Sequence, residues 1–432
     1  MEVFILIISF IFFALIILSY TIEKLDFVAI SLLLSFICAA ITGITLQLGL
    51  STFIGHIEFE AIIIILAMSI ITKIAEDSNI LEFLAVKLFK VSKGNQRVFF
   101  YLICIITTLL AAVITDVVVV LIIAPVVIRL CHFLKIRSGT YLMGMTICIN
   151  IGSIITPFSS GENIIISSAF NLNSSYFIQN FWIFSFFLLF LTVALLDYKV
   201  LNLEERVGQR EKTLMIDLIN TDVLVKNKKM FYLNSIGIVI TIILFTILPE
   251  LYLVAMLAAM VLVLLNKGFT KKRMSDLLRD VEWEVIFFFI SLYIVIGCLL
   301  EAGFRELFIN IPFQIFPPML LAIIILLVVS LLSGFVANTP TVLIFIPIIQ
   351  TIIGEFGFPA IPLIFALIVG VNLGGNIFPQ GAAADLMTLK VARDSGVDNL
   401  NYRRLLKNGA LFAFIHIGVS IFYIVILSLF SV

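Results

Sequence analysis

Apolar residues run almost without interruption along this chain, and polar residues punctuate them at recurring places. Runs of about 17–25 apolar residues between short polar breaks predict membrane-crossing helices rather than amphipathic helices around a soluble core. In the first half they fall near 2–21, 27–46 and 59–75. A charged amphipathic stretch from Asp77 to Arg97 follows, then two segments, 98–113 and 117–134, hinged at Thr115-Asp116. A segment from Thr140 runs to Asn150, breaks and resumes after Asn163, and a last helix covers 176–197. The second half gives helices near 231–248, 251–266 and 283–300, a hinged pair at 316–335 and 339–354, a broken segment at 359–390 and a final helix at 408–431. Asp197 to Lys229 is the only long polar stretch.

The second half repeats the first. Val113-Ile114-Thr115-Asp116, Pro125, Asn150-Ile151-Gly152-Ser153, Thr156-Pro157 and Asn163 meet counterparts at one shift of 222 residues: Phe335-Val336-Ala337-Asn338, Pro347, Asn372-Leu373-Gly374-Gly375, Phe378-Pro379 and Asp385. Upstream, Ile57-Glu58-Phe59-Glu60 matches Val281-Glu282-Trp283-Glu284 at a shift of 224, and Glu82 matches Glu306. A repeat of this length constrains the architecture before any local preference does.

Charge then orients the repeats. If each hinged pair enters and leaves on one face, each half crosses five times, and the odd number inverts the second half. That threading puts all 27 Lys and Arg residues except Arg305 on one face, and basic loops mark the cytoplasmic side. The predicted fold is an all-α polytopic membrane protein of two inverted repeats, each with five crossings plus one re-entrant hairpin, with broken helices at the midplane. The first repeat is 1–197 (hairpin 98–134, broken helix 140–170). A cytoplasmic linker covers 198–230. The second repeat is 231–432 (hairpin 316–354, broken helix 359–390). Both termini are expected outside the cytoplasmic membrane. Glu2 to Tyr20 lacks a basic leader and a small-residue cleavage site, so it is expected to be a retained span.

Composition narrows the partners. The chain is 62% hydrophobic and 12% charged with no net charge, and its mean hydropathy is +1.23. The lipid bilayer is its expected environment, and a zero balance gives no case for nucleic acid. Cys38, Cys104, Cys131, Cys148 and Cys298 sit in apolar segments without paired spacing, which predicts core packing rather than disulfides or zinc.

Irregular backbone at membrane depth is tolerated only when buried in protein or lining a wet cavity. Paired breaks in repeated halves are where secondary transporters hold substrate and coupling ions. Asp116 and Asn338 open the second arms of their hairpins, beside Thr115 and Thr339. Both residue types cap helices well, but an ionisable group inside a span is functional by default. Gly152, Gly374 and Gly375 precede Thr156-Pro157 and Phe378-Pro379, which favours unwinding over mere packing. Asn163 and Asp385 stand where the helices resume. Asn150, Ser153, Ser159, Ser160, Glu162, Asn372, Asn376 and Gln380 add oxygen and amide groups in the same gaps.

Asp116 aligns with Asn338 and Asn163 with Asp385. Each half-site is therefore expected to pair one carboxylate with one amide: Asp116 with Asn163, and Asn338 with Asp385. Such a set suits a monovalent cation such as sodium, or a proton, because a hard cation takes oxygen ligands. No cofactor is expected beyond that coupling ion. Glu58, Glu60, Glu282 and Glu284 are expected as interfacial charges at helix starts, and His56, His132 and His416 as structural.

These residues carry a resemblance. The tips Thr115-Asp116-Val117 and Ala337-Asn338-Thr339, with Pro125 and Pro347 at matched spacing, are similar to the Ser-Asn-Thr or Asp-containing tips of the ion-transporter superfamily. That superfamily groups arsenite permeases, NhaD-type sodium/proton antiporters, and divalent-anion and citrate symporters. Asn150-Ile151-Gly152-Ser153 with Thr156-Pro157, and Gly374-Gly375-Asn376 with Pro379 and Gly381, resemble its broken-helix motifs. Glu282-Trp283-Glu284 with Phe287-Phe288-Phe289 resembles the start of one of its spans. The resemblance covers almost the whole chain and implies a homodimer, with a scaffold domain and a mobile transport domain moving as an elevator. The chain departs from it at Phe158-Ser159-Ser160-Gly161-Glu162-Asn163, where a Gly/Asn/Pro-rich turn is common, and at Asp385, where Asn is frequent.

A transporter of a small ion is the first reading. A channel needs a continuous polar path, whereas these polar residues cluster at mid-depth. An intramembrane aspartyl protease needs Tyr-Asp and Gly-x-Gly-Asp contexts, which Asp116 and Asp385 lack. No Lys or Arg lies at a tip or a break. That favours cation/proton antiport or efflux of an uncharged oxyacid such as arsenite over sodium-coupled dicarboxylate or citrate symport.

Overall fold

Side-chain caps start several helices at the polar breaks. Asp26 accepts from the Ala29 N–H at 3.0 Å, Asn95 from those of Arg97 and Val98 at 3.0 and 3.3 Å, and Asn173 from that of Tyr176 at 3.0 Å. Each satisfies donors that the first helical turn leaves without partners. The structure is a computed structural model and describes residues 2–21, 25–93, 95–133, 136–201, 225, 227–248, 250–270 and 274–430.

In chain order the first half gives α1 (Glu2–Thr21), α2 (Phe27–Leu46), α3 (Leu50–Gly55), α4 (Phe59–Asp77), α5 (Ile80–Val91), α6 (Gln96–Ala111), α7 (Asp116–Phe133), α8 (Gly139–Gly152), α9 (Gly161–Phe170) and α10 (Ser174–Lys199). The second gives α11 (Lys228–Ile247), α12 (Leu251–Thr270), α13 (Met274–Arg279), α14 (Trp283–Glu301), α15 (Phe304–Ile309), α16 (Pro318–Val336), α17 (Asn338–Gly354), α18 (Ala360–Gly374), α19 (Ala383–Asp394) and α20 (Tyr402–Phe430). The described secondary structure is all helical, as expected. Nine of the described helices are long and apolar enough to cross a membrane. The expected linker, 198–230, lies for the most part outside the described residues.

The hairpin arms are unequal. In the first, α6 and α7 have 16 and 18 residues; in the second, α16 and α17 have 19 and 17. At a rise of about 1.5 Å per residue, 16 residues reach about 24 Å, short of a hydrocarbon core about 30 Å thick. Pro125 and Pro347 sit inside α7 and α17. α5 falls within the charged amphipathic stretch expected at 77–97, and three short helices, α3, α13 and α15, fill connections that hydropathy left unassigned. All five cysteines are free and buried.

Packing repeats as the sequence does. The first hairpin arm lies along the first piece of the broken helix in both halves, α6 on α8 and α16 on α18. A glycine permits each contact. A Cβ at Gly152 would stand 2.3 Å from the Thr108 carbonyl oxygen, and one at Gly374 would stand 2.5 Å from the Ser330 carbonyl oxygen. Thr108 and Ser330 are themselves 222 residues apart. Other contacts cross between halves in matched pairs: α2 with α14 and α12 with α4, then α7 with α19 and α17 with α9.

Candidate functional site

The crossed packing assembles the site. α8 stops at Gly152, and residues 153–160 are irregular before α9 starts. Breaking a helix leaves carbonyls without their usual donors, and here side chains take them. Asn163 Nδ2 donates to the Ser153 and Thr156 carbonyls at 2.6 and 3.0 Å, and Ser159 Oγ donates to the same two at 2.6 and 2.8 Å. Thr156 Oγ1 donates to the Ala112 carbonyl at 2.6 Å, tying the break to the first hairpin. The helix resumes at Gly161, ahead of the predicted point after Asn163. Ser160 caps it, accepting from the Asn163 N–H at 3.2 Å. In the second half a short 3₁₀ turn, Gly375–Ile377, follows Gly374, and helix returns at Ala383.

Side-chain hydrogen bonds then join the two halves. Asn150 Nδ2 donates to Asn376 Oδ1 at 2.7 Å, and Asn372 Nδ2 donates to Asn163 Oδ1 at 3.0 Å. Ser160 Oγ reaches Asn372 Oδ1 at 3.4 Å. Thr146 Oγ1 donates to Asp385 Oδ1 at 2.6 Å, and Thr339 Oγ1 donates to Glu162 Oε1 at 2.9 Å. Asp385 is 1% exposed and Asn163 is fully buried. Asp116 and Glu162 are half-buried.

These bonds differ from the expected pairing of Asp116 with Asn163 and of Asn338 with Asp385. No hydrogen bond joins either pair among the described residues. The physical reason is the crossing itself, since α19 lies on α7 and α9 on α17. Asp385 therefore lies within electrostatic reach of Asp116, and Asp116 within that of Glu162. Asn163 spends its amide donors on the carbonyls of its own break.

Nor does Asn338 cap its helix. With its amide oriented to suit its surroundings, the nitrogen donates to the Val371 and Gly381 carbonyls at 3.2 and 3.0 Å and to the Ser333 hydroxyl. The residue before it, Ala337, is held at φ 87°, a conformation in which a Cβ is strained. Asp116 Oδ1 accepts from the neighbouring Val117 N–H at 2.8 Å. Gln380 is engaged at its Oε1 by the Tyr402 hydroxyl. Thr115 lines a cavity beneath the first tip.

Sequence reasoning missed Thr146 and Ser333. It also placed Glu282 at the interface, whereas Glu282 lies within electrostatic reach of Asp116 and lines the same cavity as Thr115. The match of Glu58 with Glu282 in the repeat was the available signal for Glu282. Thr146, one hydroxyl in a helix buried throughout, gave none. Among the described residues no Lys, Arg or His forms an ion pair with Asp116, Glu162 or Asp385. The site can thus supply carboxylate, hydroxyl and amide oxygens to a cation. It also holds one free donor, the buried Asn376 Nδ2, which has no partner.

A family model described as citrate transporter matches residues 13–370. A 46 kDa membrane protein of Mycobacterium leprae is 24% identical over 405 residues, covering 89% of this chain and 92% of that one. An uncharacterised transporter of Mycobacterium bovis is 23% identical over 376 residues, covering 85% and 86%. Among solved structures, the YdaH transporter of Alcanivorax borkumensis shares the fold with a TM-score of 0.56 at 12% identity, covering 87% of this chain and 86% of that one.

Proposed function

Because this chain belongs to the citrate transporter family, and so is a multi-pass membrane transporter and not an enzyme, we propose that it is a secondary active transporter of a small ion or oxyanion, coupled to sodium or protons. Cation/proton antiport or arsenite-type efflux is the favoured form. The observation that carries this reading is the convergence of Asp116, Glu162 and Asp385, none of which forms an ion pair with a basic side chain among the described residues. Carboxylates gathered at depth need a cation or protons to offset their mutual repulsion. Binding and release of that cation is then a natural source of coupling.

The mechanism in this reading is an elevator. Residues 98–197 and 316–431 carry the site and move against the remaining helices, which form the scaffold of a homodimer. The hydrogen bonds among Asn150, Asn163, Asn372 and Asn376 favour this division, because they tie the two breaks into one unit. Both termini lie outside and the 198–230 linker inside. Labelling of a single cysteine at position 220 in sealed cells would contradict that orientation.

One observation favours a second reading, sodium-coupled symport of citrate or a dicarboxylate. The free donor at Asn376 Nδ2 is suited to an acceptor oxygen of an anion, and the family's description names citrate. Uptake of labelled sodium, arsenite and citrate into proteoliposomes under imposed sodium and pH gradients separates the two. Cation exchange or arsenite movement without citrate supports the first reading. Citrate uptake that requires sodium overturns it in favour of the second.

A further inference from the structure

Between α4, the start of α14 and the hairpin arm α7 lies a cavity of about 190 Å³, lined by Thr72, Lys73, Glu76, Thr115, Asp280 and Glu282 among others. A second cavity of about 300 Å³ shares Glu76, Leu121 and Ile122 as walls and adds Asp77, Glu82 and Arg129. Five carboxylates thus face two basic groups along a route from the end of α4 and the start of α5 to the Thr115-Asp116 tip. Lys73 sits in that route, 3.0 Å from Glu76 and 3.8 Å from Asp280. At its inner end the Thr72 hydroxyl, on a residue 4% exposed, has no hydrogen-bond partner. A buried hydroxyl left without a partner is costly in a finished core and useful beside an ion. Glu282 links the cavity to the site, lying within electrostatic reach of Asp116.

The repeat shows that this chemistry is not required by the fold. At a shift of 224, Thr72, Lys73 and Glu76 correspond to Ile296, Gly297 and Leu300. In that copy the space beside Gly297 is filled by the His56 ring, 2.7 Å from where a Cβ would stand. One copy closes this position with apolar side chains and an imidazole whose Nε2 lies 2.8 Å from the Glu301 carboxylate; the other keeps a lysine among carboxylates, an unpartnered hydroxyl and open volume.

The geometry points to a charge-selective antechamber that concentrates a small monovalent cation and delivers it to Asp116, with Lys73 as a tethered cation that occupies the route until displaced. This rests on the reading of Asp116 as the coupling-ion ligand. Low-dielectric walls with an excess of one sign of charge, here five carboxylates against two basic groups, focus the field and raise the local concentration of counter-ions. An incoming cation competes with Lys73 for Glu76 and Asp280, then passes to the oxygens of Thr72, Thr115 and Glu282. Anions are repelled along the same path.

The test uses the full chain in nanodiscs with a reporter cysteine, Ser69→Cys on one wall or Val118→Cys on the other. Each is modified with thiosulfonate reagents of equal size and opposite charge, and rates are normalised to a free thiol. The wild-type protein gives the background of its buried native cysteines. The cationic reagent is expected to react about tenfold faster or more. Glu76→Gln with Glu282→Gln should shrink the ratio, and Lys73→Gln should widen it. Equal rates, a faster anionic reagent, a ratio indifferent to the carboxylates, or both reporters unreactive would overturn the proposal. The Asp116→Asn variant separates this from the reading beneath it. If coupled transport survives Asp116→Asn while the reagent ratio holds, the coupling assignment falls and the antechamber stands. If the ratio collapses while Asp116→Asn abolishes coupling, the reverse follows.

Discussion

Thr115-Asp116 and Ala337-Asn338 occupy the same place in the repeat, at the tip of a hairpin ahead of a helix with a proline nine residues on, yet they meet different surroundings. Asp116 is half-buried and its carboxylate accepts from the Val117 N–H, with a polar cavity against Thr115. Asn338 is buried, its amide turned onto the Val371 and Gly381 carbonyls, behind a strained Ala337. One tip carries a charge beside the cavity that Thr115 lines. The other stitches its hairpin to the broken helix beside it. Duplication supplies two related frames, and the same place in each carries a carboxylate in one and an amide in the other.

The comparison can be broken most sharply at the tips. Asp116→Asn gives the first tip the side chain of the second, and it is expected to abolish ion-coupled transport while leaving the amount of folded protein unchanged by size-exclusion chromatography. The reverse swap, Asn338→Asp, should act on folding instead. A carboxylate facing two carbonyls is an uncompensated buried charge, costing about 3–5 kcal/mol. The yield of folded protein and its thermal stability should fall together, and transport per folded molecule should fall less.

Thr146→Val probes the hydrogen bond that reaches Asp385 from the other half. Removing a bond to a charged acceptor costs about 1.5–3 kcal/mol, so apparent cation affinity should change by about ten- to a hundredfold, read from the sodium or proton dependence of uptake. Thr146→Ser restores the hydroxyl and should restore the affinity. The smallest effect is expected at Ala337→Gly. Relief of about 1–3 kcal/mol of backbone strain, less about 0.5–1 kcal/mol for the added freedom of glycine, leaves a net gain near 1 kcal/mol. Thermal unfolding of the purified protein should shift upward. The equivalent change at Thr115, whose backbone carries no such strain, should not stabilise.

Much of the frame was legible because the features that write it are local. Pro125 and Pro347 mark the second hairpin arms, the glycines at 152 and 374 mark where a neighbouring helix comes too close for a Cβ, and the shift of 222 shows each mark twice. The arms and pieces of broken helix fall close to where hydropathy put them. The resumption at Gly161 was missed by two residues because Asn163 was read as the restart, when Ser160 caps the helix and Asn163 receives that cap. α3 and α15, six residues each, are too short for a hydropathy signal. Side-chain partners were the least legible part. Periodicity states which face of a helix is apolar but not which helix of the other half lies on it, so the contacts of Asp385 with Thr146 and of Glu162 with Thr339 had no trace in the order of residues. Among the described residues no hydrogen bond joins the expected half-site pairs, and Asn163 and Asp385 instead bond across to Asn372 and Thr146 of the other half.

The central claim is that the two tips have divided the work, with Asp116 holding the coupling ion and Asn338 holding the fold. The most direct measurement is sodium- and proton-gradient-driven counterflow in proteoliposomes, run on Asp116→Asn and on Asn338→Asp at matched amounts of folded protein. The account predicts that Asp116→Asn loses gradient-driven transport entirely, whereas Asn338→Asp keeps its ion dependence and loses only folded yield. Full gradient dependence in Asp116→Asn, or a lost ion dependence in a well-folded Asn338→Asp, would contradict it.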